Sequence, residues 1–296
     1  MSANVSARVI SFGGSSVQVK CRGEKAAEIF DFLYKDLPAY EGPAPHIVLT
    51  IRAEPELQKL IIRVGKRVYY RGDSCGRLAS ALLGRTMFHL ADKSQGGLLF
   101  HAAAVRCGEH CILLAGRTGA GKSTLVSWLT TKGLGYLTDE LVYIPFGSRD
   151  VQPFARPLNI KPSGRSVLEP KILDFEAAKP HLLDSPEVTL VPRSVLGQRE
   201  PIKTSRLAMI VFPKFTADAG FRAEPVSRAQ TGIGLIGCLL NARNLPEHGF
   251  PEVTKLVRNV PGYRLEYGDF SQLDGWVEGL KDVSEPSGEP LAASDP

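Results

Sequence analysis

The sequence predicts a mixed α/β protein of two domains, and three observations lead there. In the first third, apolar residues switch between helical and strand-like spacing. Further on, the apolar run "HCILLAG" passes directly into the glycine-rich "GRTGAGKS" (116–123), which opens a helix-like segment. The 296 residues, 43% hydrophobic and 23% charged, give an ordinary globular core and surface.

Residues 1–95 read as a small α/β module with a structural or docking role. "AAEIFDFLYKDL" places Ala26, Ile29, Phe30 and Leu33 on one helical face, and Pro38 stops it. "HIVLTIRA" (46–53) and "LIIRVGKRVYYRG" (60–72) are rich in β-branched and aromatic residues, with a turn at Gly65-Lys66. "SCGRLASALLGRTMFHLAD" returns to helical spacing through Leu78, Leu82 and Leu83. The pattern changes at "KSQGG" (93–97), where a second domain, 96–282, is expected to begin. "LLFHAAAV" and "HCILLAG" predict two strands joined at Gly108, followed by a loop, a helix over 122–132 and a short strand "LGYLT" (134–138), one βαβ unit. Helix is also expected within 164–178, 227–244 and 269–280, and a strand at "SRLAMIVFP" (205–213). The tail 283–296, "VSEPSGEPLAASDP", has no periodic hydrophobic residues and is expected to be disordered.

A net charge of +5 is too small and too evenly spread to argue for nucleic acid, though it suits a protein that handles phosphates or an acidic partner. No apolar run approaches the roughly 20 residues of a membrane span. The start "MSANVSARVISFGG" lacks a signal-length apolar stretch, so a cytoplasmic location is expected. Five cysteines, an odd number, favour free thiols in a reducing compartment. Cys107 and Cys111 with His110 make half of a zinc site without a second half, and read as core thiols.

Gly116, Gly119, Gly121, Lys122 and Ser123 fill the pattern G-x-x-x-x-G-K-[ST], with Arg117, Thr118, Ala120 and Thr124 completing the stretch. Glycines let the backbone curl with its N–H groups inward, and the following helix adds its positive N-terminal end. Lys122 is placed for the β and γ phosphates of a nucleotide, and the Ser123 hydroxyl for Mg²⁺. Seventeen positions after Lys122 stands the acid pair Asp139-Glu140, expected at the carboxyl end of the neighbouring strand. One acid there can hold Mg²⁺ and the other orient or deprotonate a hydroxyl, with Asp139 the preferred base. His101, closing the run "LLFH", can assist a proton transfer. The downstream cations Arg156, Lys161, Arg165, Arg193, Arg199, Lys203 and Arg206 are candidates to close over the phosphates, although most such residues are simply exposed.

On these residues the stretch 96–280 resembles the catalytic core of HPr kinase/phosphorylase and its HPr-kinase-like relatives. A strand-borne histidine, a P-loop and an acid pair follow in that order, and "RPLNIKPSG", "RLAMIVFPKF" and "VPGYRLEYGDF" resemble further segments. The resemblance implies a P-loop kinase core related to phosphoenolpyruvate carboxykinase, using ATP and Mg²⁺ to phosphorylate a serine on a peptide or small protein. It implies phosphate and metal roles for Lys122 and Ser123, and catalytic roles for His101, Asp139 and Glu140. Two departures matter: the family's usual second acid is aspartate, and the "EIRGLG"-type signature of the bifunctional enzymes is missing. Both point to a monofunctional branch, such as the kinases of ribosomally made precursor peptides. A nucleotide-gated ATPase or switch, and a non-catalytic nucleotide-binding scaffold, are the alternatives. Self-association stays open.

Overall fold

In the computed structural model, which describes residues 5–38, 40, 45, 47–54, 59–162, 164–165, 175–198 and 203–281, strand and helix alternate as the hydrophobic spacing dictates. The tail 283–296 lies outside the described residues, as does most of the helix expected within 164–178. The chain forms two compact units: Met1–Gln95 with Phe154–Ile202, and Gly96–Pro153 with Lys203–Pro296.

The first unit opens with a hairpin of β1 (Val5–Phe12) and β2 (Ser15–Arg22). α1 (Glu24–Tyr34) buries the predicted Ala26, Ile29, Phe30 and Leu33. β3 (Val48–Glu54) runs parallel to β2, and β4 (Lys59–Val64) and β5 (Arg67–Gly72) complete an ordered sheet β1-β2-β3-β4-β5. Val17, Val19, Leu49, Ile51 and Ile62 are fully buried, and the residues alternating with them on β2 and β3 are more exposed. α2 (Cys75–Lys93) is capped by the Ser74 hydroxyl, which accepts from the Arg77 N–H, and buries Leu78, Leu82 and Leu83.

The second unit begins with β6 (Gly97–Cys107), β7 (His110–Ala115), α3 (Lys122–Thr131), β8 (Gly135–Thr138), β9 (Leu141–Pro145) and β10 (Asp150–Pro153). The chain then returns to the first unit for β11 (Leu158–Ile160), α4 (Phe175–Ala178), β12 (Leu183–Ser185) and β13 (Val188–Val191), a second sheet ordered β11-β13-β12. β14 (Ser205–Phe215), β15 (Arg222–Val226), α5 (Arg228–Ile236), α6 (Phe250–Asn259), β16 (Gly262–Tyr267) and α7 (Asp274–Lys281) finish the second unit. Its sheet is ordered β10-β9-β6-β7-β14-β16-β15. β10 also pairs with β14, so β10, β9, β6, β7 and β14 close into a ring. β7, β14 and β16 are mutually parallel, which brings their carboxyl ends to one side of the sheet. Among the described residues no helix is long and apolar enough to cross a membrane.

Residues 154–202 were expected in the second domain but group with the first unit, because β12 lies against the start of α2. A Cβ built on Gly76 would fall 2.1 Å from the Asp184 carbonyl oxygen, closer than any side chain tolerates. Arg77 reaches Glu187 with two hydrogen bonds of 3.2 and 2.7 Å, and Phe12 meets Phe154 edge to face at 5.1 Å. Gly76→Ala is therefore expected to destabilise the protein by about 1–3 kcal/mol. Gly84→Ala, on the same helix where a Cβ meets nothing within 4 Å, should instead be neutral or stabilising. Equal melting temperatures for the two variants would show that β12 does not hold α2 this tightly.

Candidate active site

The glycine-rich loop leaves the sheet at the carboxyl end of β7 and enters α3. Gly119 and Gly121 stand at φ 91° and 84°, the left-handed region that side chains avoid. A Cβ on Gly119 would meet nothing within 4 Å. No side chain caps the N-terminus of α3, and the Gly121 carbonyl accepts from the Leu125 N–H at 2.8 Å. Leu125, Val126, Trp128 and Leu129 anchor the helix in the core, with Trp128 stacked on Phe270 at 5.2 Å. Lys122 is only 6% exposed, and its Nζ donates to the Gly116 and Arg117 carbonyls at 2.6 and 3.1 Å. The ammonium is thus held over the first peptides of the loop, and Ser123 and Thr124 in the first helical turn are half-buried. A glycine-rich backbone turn, one lysine and an uncapped helix start are features that could hold a polyphosphate and its cation.

The acid pair sits differently from its sequence expectation. β8 is not the neighbour of β7: β6 runs antiparallel between them. β8 and β9 line the same edge of β6, Ala104 opposite Thr138 and His101 opposite Leu141, with a register shift against β8 between Ala104 and Val105 of β6. Asp139 directly follows the carboxyl end of β8, and with Glu140 it separates β8 from β9 along that edge. The Thr138 hydroxyl accepts from the Glu140 N–H at 3.3 Å, and the Glu140 carbonyl still accepts from the Ala102 N–H at 3.1 Å. His101 likewise lies within β6 and does not close a strand, because the small Ala102, Ala103 and Ala104 let the strand continue between two neighbours.

Ala102 is where the three motifs meet. It pairs with Ala115, the last residue before the loop, on one side, and bonds Glu140 on the other. Ala115 and Glu140 are therefore two strand spacings apart, roughly 10 Å. Beyond Ala102 the β7 side of β6 is taken by residues 238–240: the Cys238 carbonyl accepts from the His101 N–H at 2.8 Å, and Phe100 bridges Leu239. His101 Nε2 stands 3.3 Å from Glu140 Oε1, both side chains 28% exposed. Asp139 is 1% exposed, and its Oδ1 accepts from the buried Tyr136 hydroxyl at 3.1 Å. One acid is held inside the protein, the other faces outward with an imidazole.

The candidate cations divide. Arg156 and Arg193 are buried in the first unit, Arg156 donating to the Pro157 carbonyl, and Lys161 and Arg165 belong to that unit as well. Lys203 and Arg206 are exposed at or beside the start of β14, away from its carboxyl end, and Arg199 lies outside the described residues. Cys107 and Cys111 are buried in the second unit, their thiols directed at the Leu280 and Ser205 carbonyls. Burial pushes the Cys111 thiol well above its usual range. A cleft of about 440 Å³ between the β9–β10 turn and α6 is lined by Arg206 but by none of the loop residues, His101, Asp139 or Glu140. Sequence reasoning passed over the exposed Phe215 beside the loop. Its signal was an aromatic residue at the carboxyl end of an apolar strand. The chain matches no protein-family model and no curated protein.

Proposed function

We propose that this protein is a Mg-ATP-dependent kinase that phosphorylates a serine hydroxyl on a peptide or small protein, as its resemblance to HPr-kinase-like enzymes implies. The observation that carries the reading is the junction at Ala102, which ties a glycine-rich loop with Lys122 to an outward acid–imidazole pair. Lys122, the loop amides and the α3 N-terminus would hold the phosphates, and Ser123 with Asp139 the cation. Bound Mg-ATP supplies a phosphoryl group ready for transfer to an alcohol.

The two acids divide by exposure. Asp139 follows the apolar β8 and is buried, which suits the strand-end aspartate that shares a cation with a P-loop serine. Glu140 is the acid that an incoming hydroxyl can reach, and its carboxylate takes the proton while His101 orients it. This exchanges the roles suggested by the sequence, in which Asp139 was the base.

An acid directly after a buried aspartate can also polarise water, so an ATPase or switch is the second reading. Incubation with ATP labelled on its terminal phosphate, in the presence of serine-containing peptides, separates the alternatives. Label on peptide supports the kinase, label in free phosphate the ATPase, and no release a scaffold.

A further inference from the structure

We infer that Phe215 forms the wall of a nucleobase subsite beside the glycine-rich loop, so that the purine ring of the bound nucleotide packs on its exposed face. The inference rests on the nucleotide reading above and extends it to the part of the ligand that the loop does not touch. Phe215 is the last residue of β14 and is 50% exposed, although it is the terminal ring of an otherwise buried aromatic row. It pairs in register with Tyr267 at the end of the parallel β16, ring centroids 5.7 Å apart and nearly perpendicular. Tyr267 meets Phe270 at 5.5 Å, and Phe270 stacks on Trp128 of α3. The row therefore starts under the phosphate-loop helix and surfaces at Phe215.

Its position relative to the loop is tight. A Cβ built on Gly121, the residue before Lys122, would lie 3.8 Å from Phe215 Cβ and 3.7 Å from the Tyr267 hydroxyl. The backbone after the ring is also fixed. The Thr216 N–H donates to the Tyr267 carbonyl at 3.0 Å, and Gln272 Nε2 donates to the Ala219 carbonyl at 3.1 Å, pinning the segment that follows. An exposed aromatic face at the carboxyl ends of parallel strands is where such sheets bind the organic part of a ligand. A nucleoside extends several ångströms beyond its phosphates, and a π-face is what a planar base stacks on.

The test compares Mg-ATP with Mg-tripolyphosphate, which has the phosphates but no base, by calorimetry. The wild-type protein should bind ATP more tightly. Phe215→Ala should cut ATP affinity about tenfold, as expected for one lost stacking contact, and leave tripolyphosphate affinity unchanged, which also shows that the variant folds. Phe215→Tyr should restore it, and Phe250→Ala, which removes another exposed ring of the same unit, should change neither. In Phe215→Trp, the added indole emission should be quenched by ATP and not by tripolyphosphate. A Phe215→Ala protein that keeps the wild-type preference for ATP overturns the subsite while the phosphate site stands, as does an equal loss for both ligands. A wild-type protein that binds neither ligand removes the nucleotide reading and the subsite together.

Discussion

Lys122→Met is expected to lower phosphoryl transfer by on the order of 10²-fold or more with the fold intact. The side chain is almost fully buried, and its ammonium donates to two loop carbonyls. A charge placed over a backbone nest is suited to phosphate oxygens, whose developing charge it would stabilise as the phosphoryl group moves. Methionine keeps the apolar stem against the core and removes only the charge and the donor, which makes it a cleaner probe than alanine. The carbonyls it leaves belong to the half-buried Gly116 and the exposed Arg117, where water can replace the lysine. Melting temperature should therefore stay close to wild type. Near-normal transfer by a folded Lys122→Met protein would make the loop a structural turn.

The second large effect separates the acids. Glu140→Gln keeps the shape beside His101 and removes the proton acceptor, so transfer should fall by roughly 10² to 10⁴ while Mg-ATP binding survives. Asp139→Asn should instead weaken the apparent affinity for Mg²⁺, with partial rescue by excess metal, because its carboxylate is buried and would act on the cation. The Tyr136 hydroxyl can still donate to the asparagine carbonyl, so the variant should fold. Titrating metal against transfer rate in both proteins checks the split. Exchanged phenotypes would restore Asp139 as the base. Normal transfer by both would reduce "TDE" to a turn.

Local signals were legible where neighbours in sequence are neighbours in space. The α1 face through Ala26, Ile29, Phe30 and Leu33, the Gly65-Lys66 and Gly108 turns, and the strand–loop–helix around Lys122 all depend on a few consecutive residues. The β1–β2 hairpin is equally local, with Gly13-Gly14 between alternating runs. Pairing was not legible. Nothing in "LLFHAAAV" says that β6 runs between β7 and β8, or that the chain after Glu140 resumes along the same edge. The assignment of residues 154–202 failed for the same reason, since Gly76 and Asp184 meet across more than a hundred positions. Adjacent residues of an extended chain face apart; which of the two acids faces inward depends on Tyr136 and the core, and so on the fold.

The proposed kinase joins the phosphate loop and a hydroxyl-directed acid in one site. Its most direct test measures ADP and phosphopeptide together in reactions with Mg-ATP, with and without serine-containing peptides. A kinase should release little ADP alone, be stimulated by an acceptor, and yield one phosphoserine per ADP. ADP formed at the same rate without peptide, with all phosphate in solution, would contradict it.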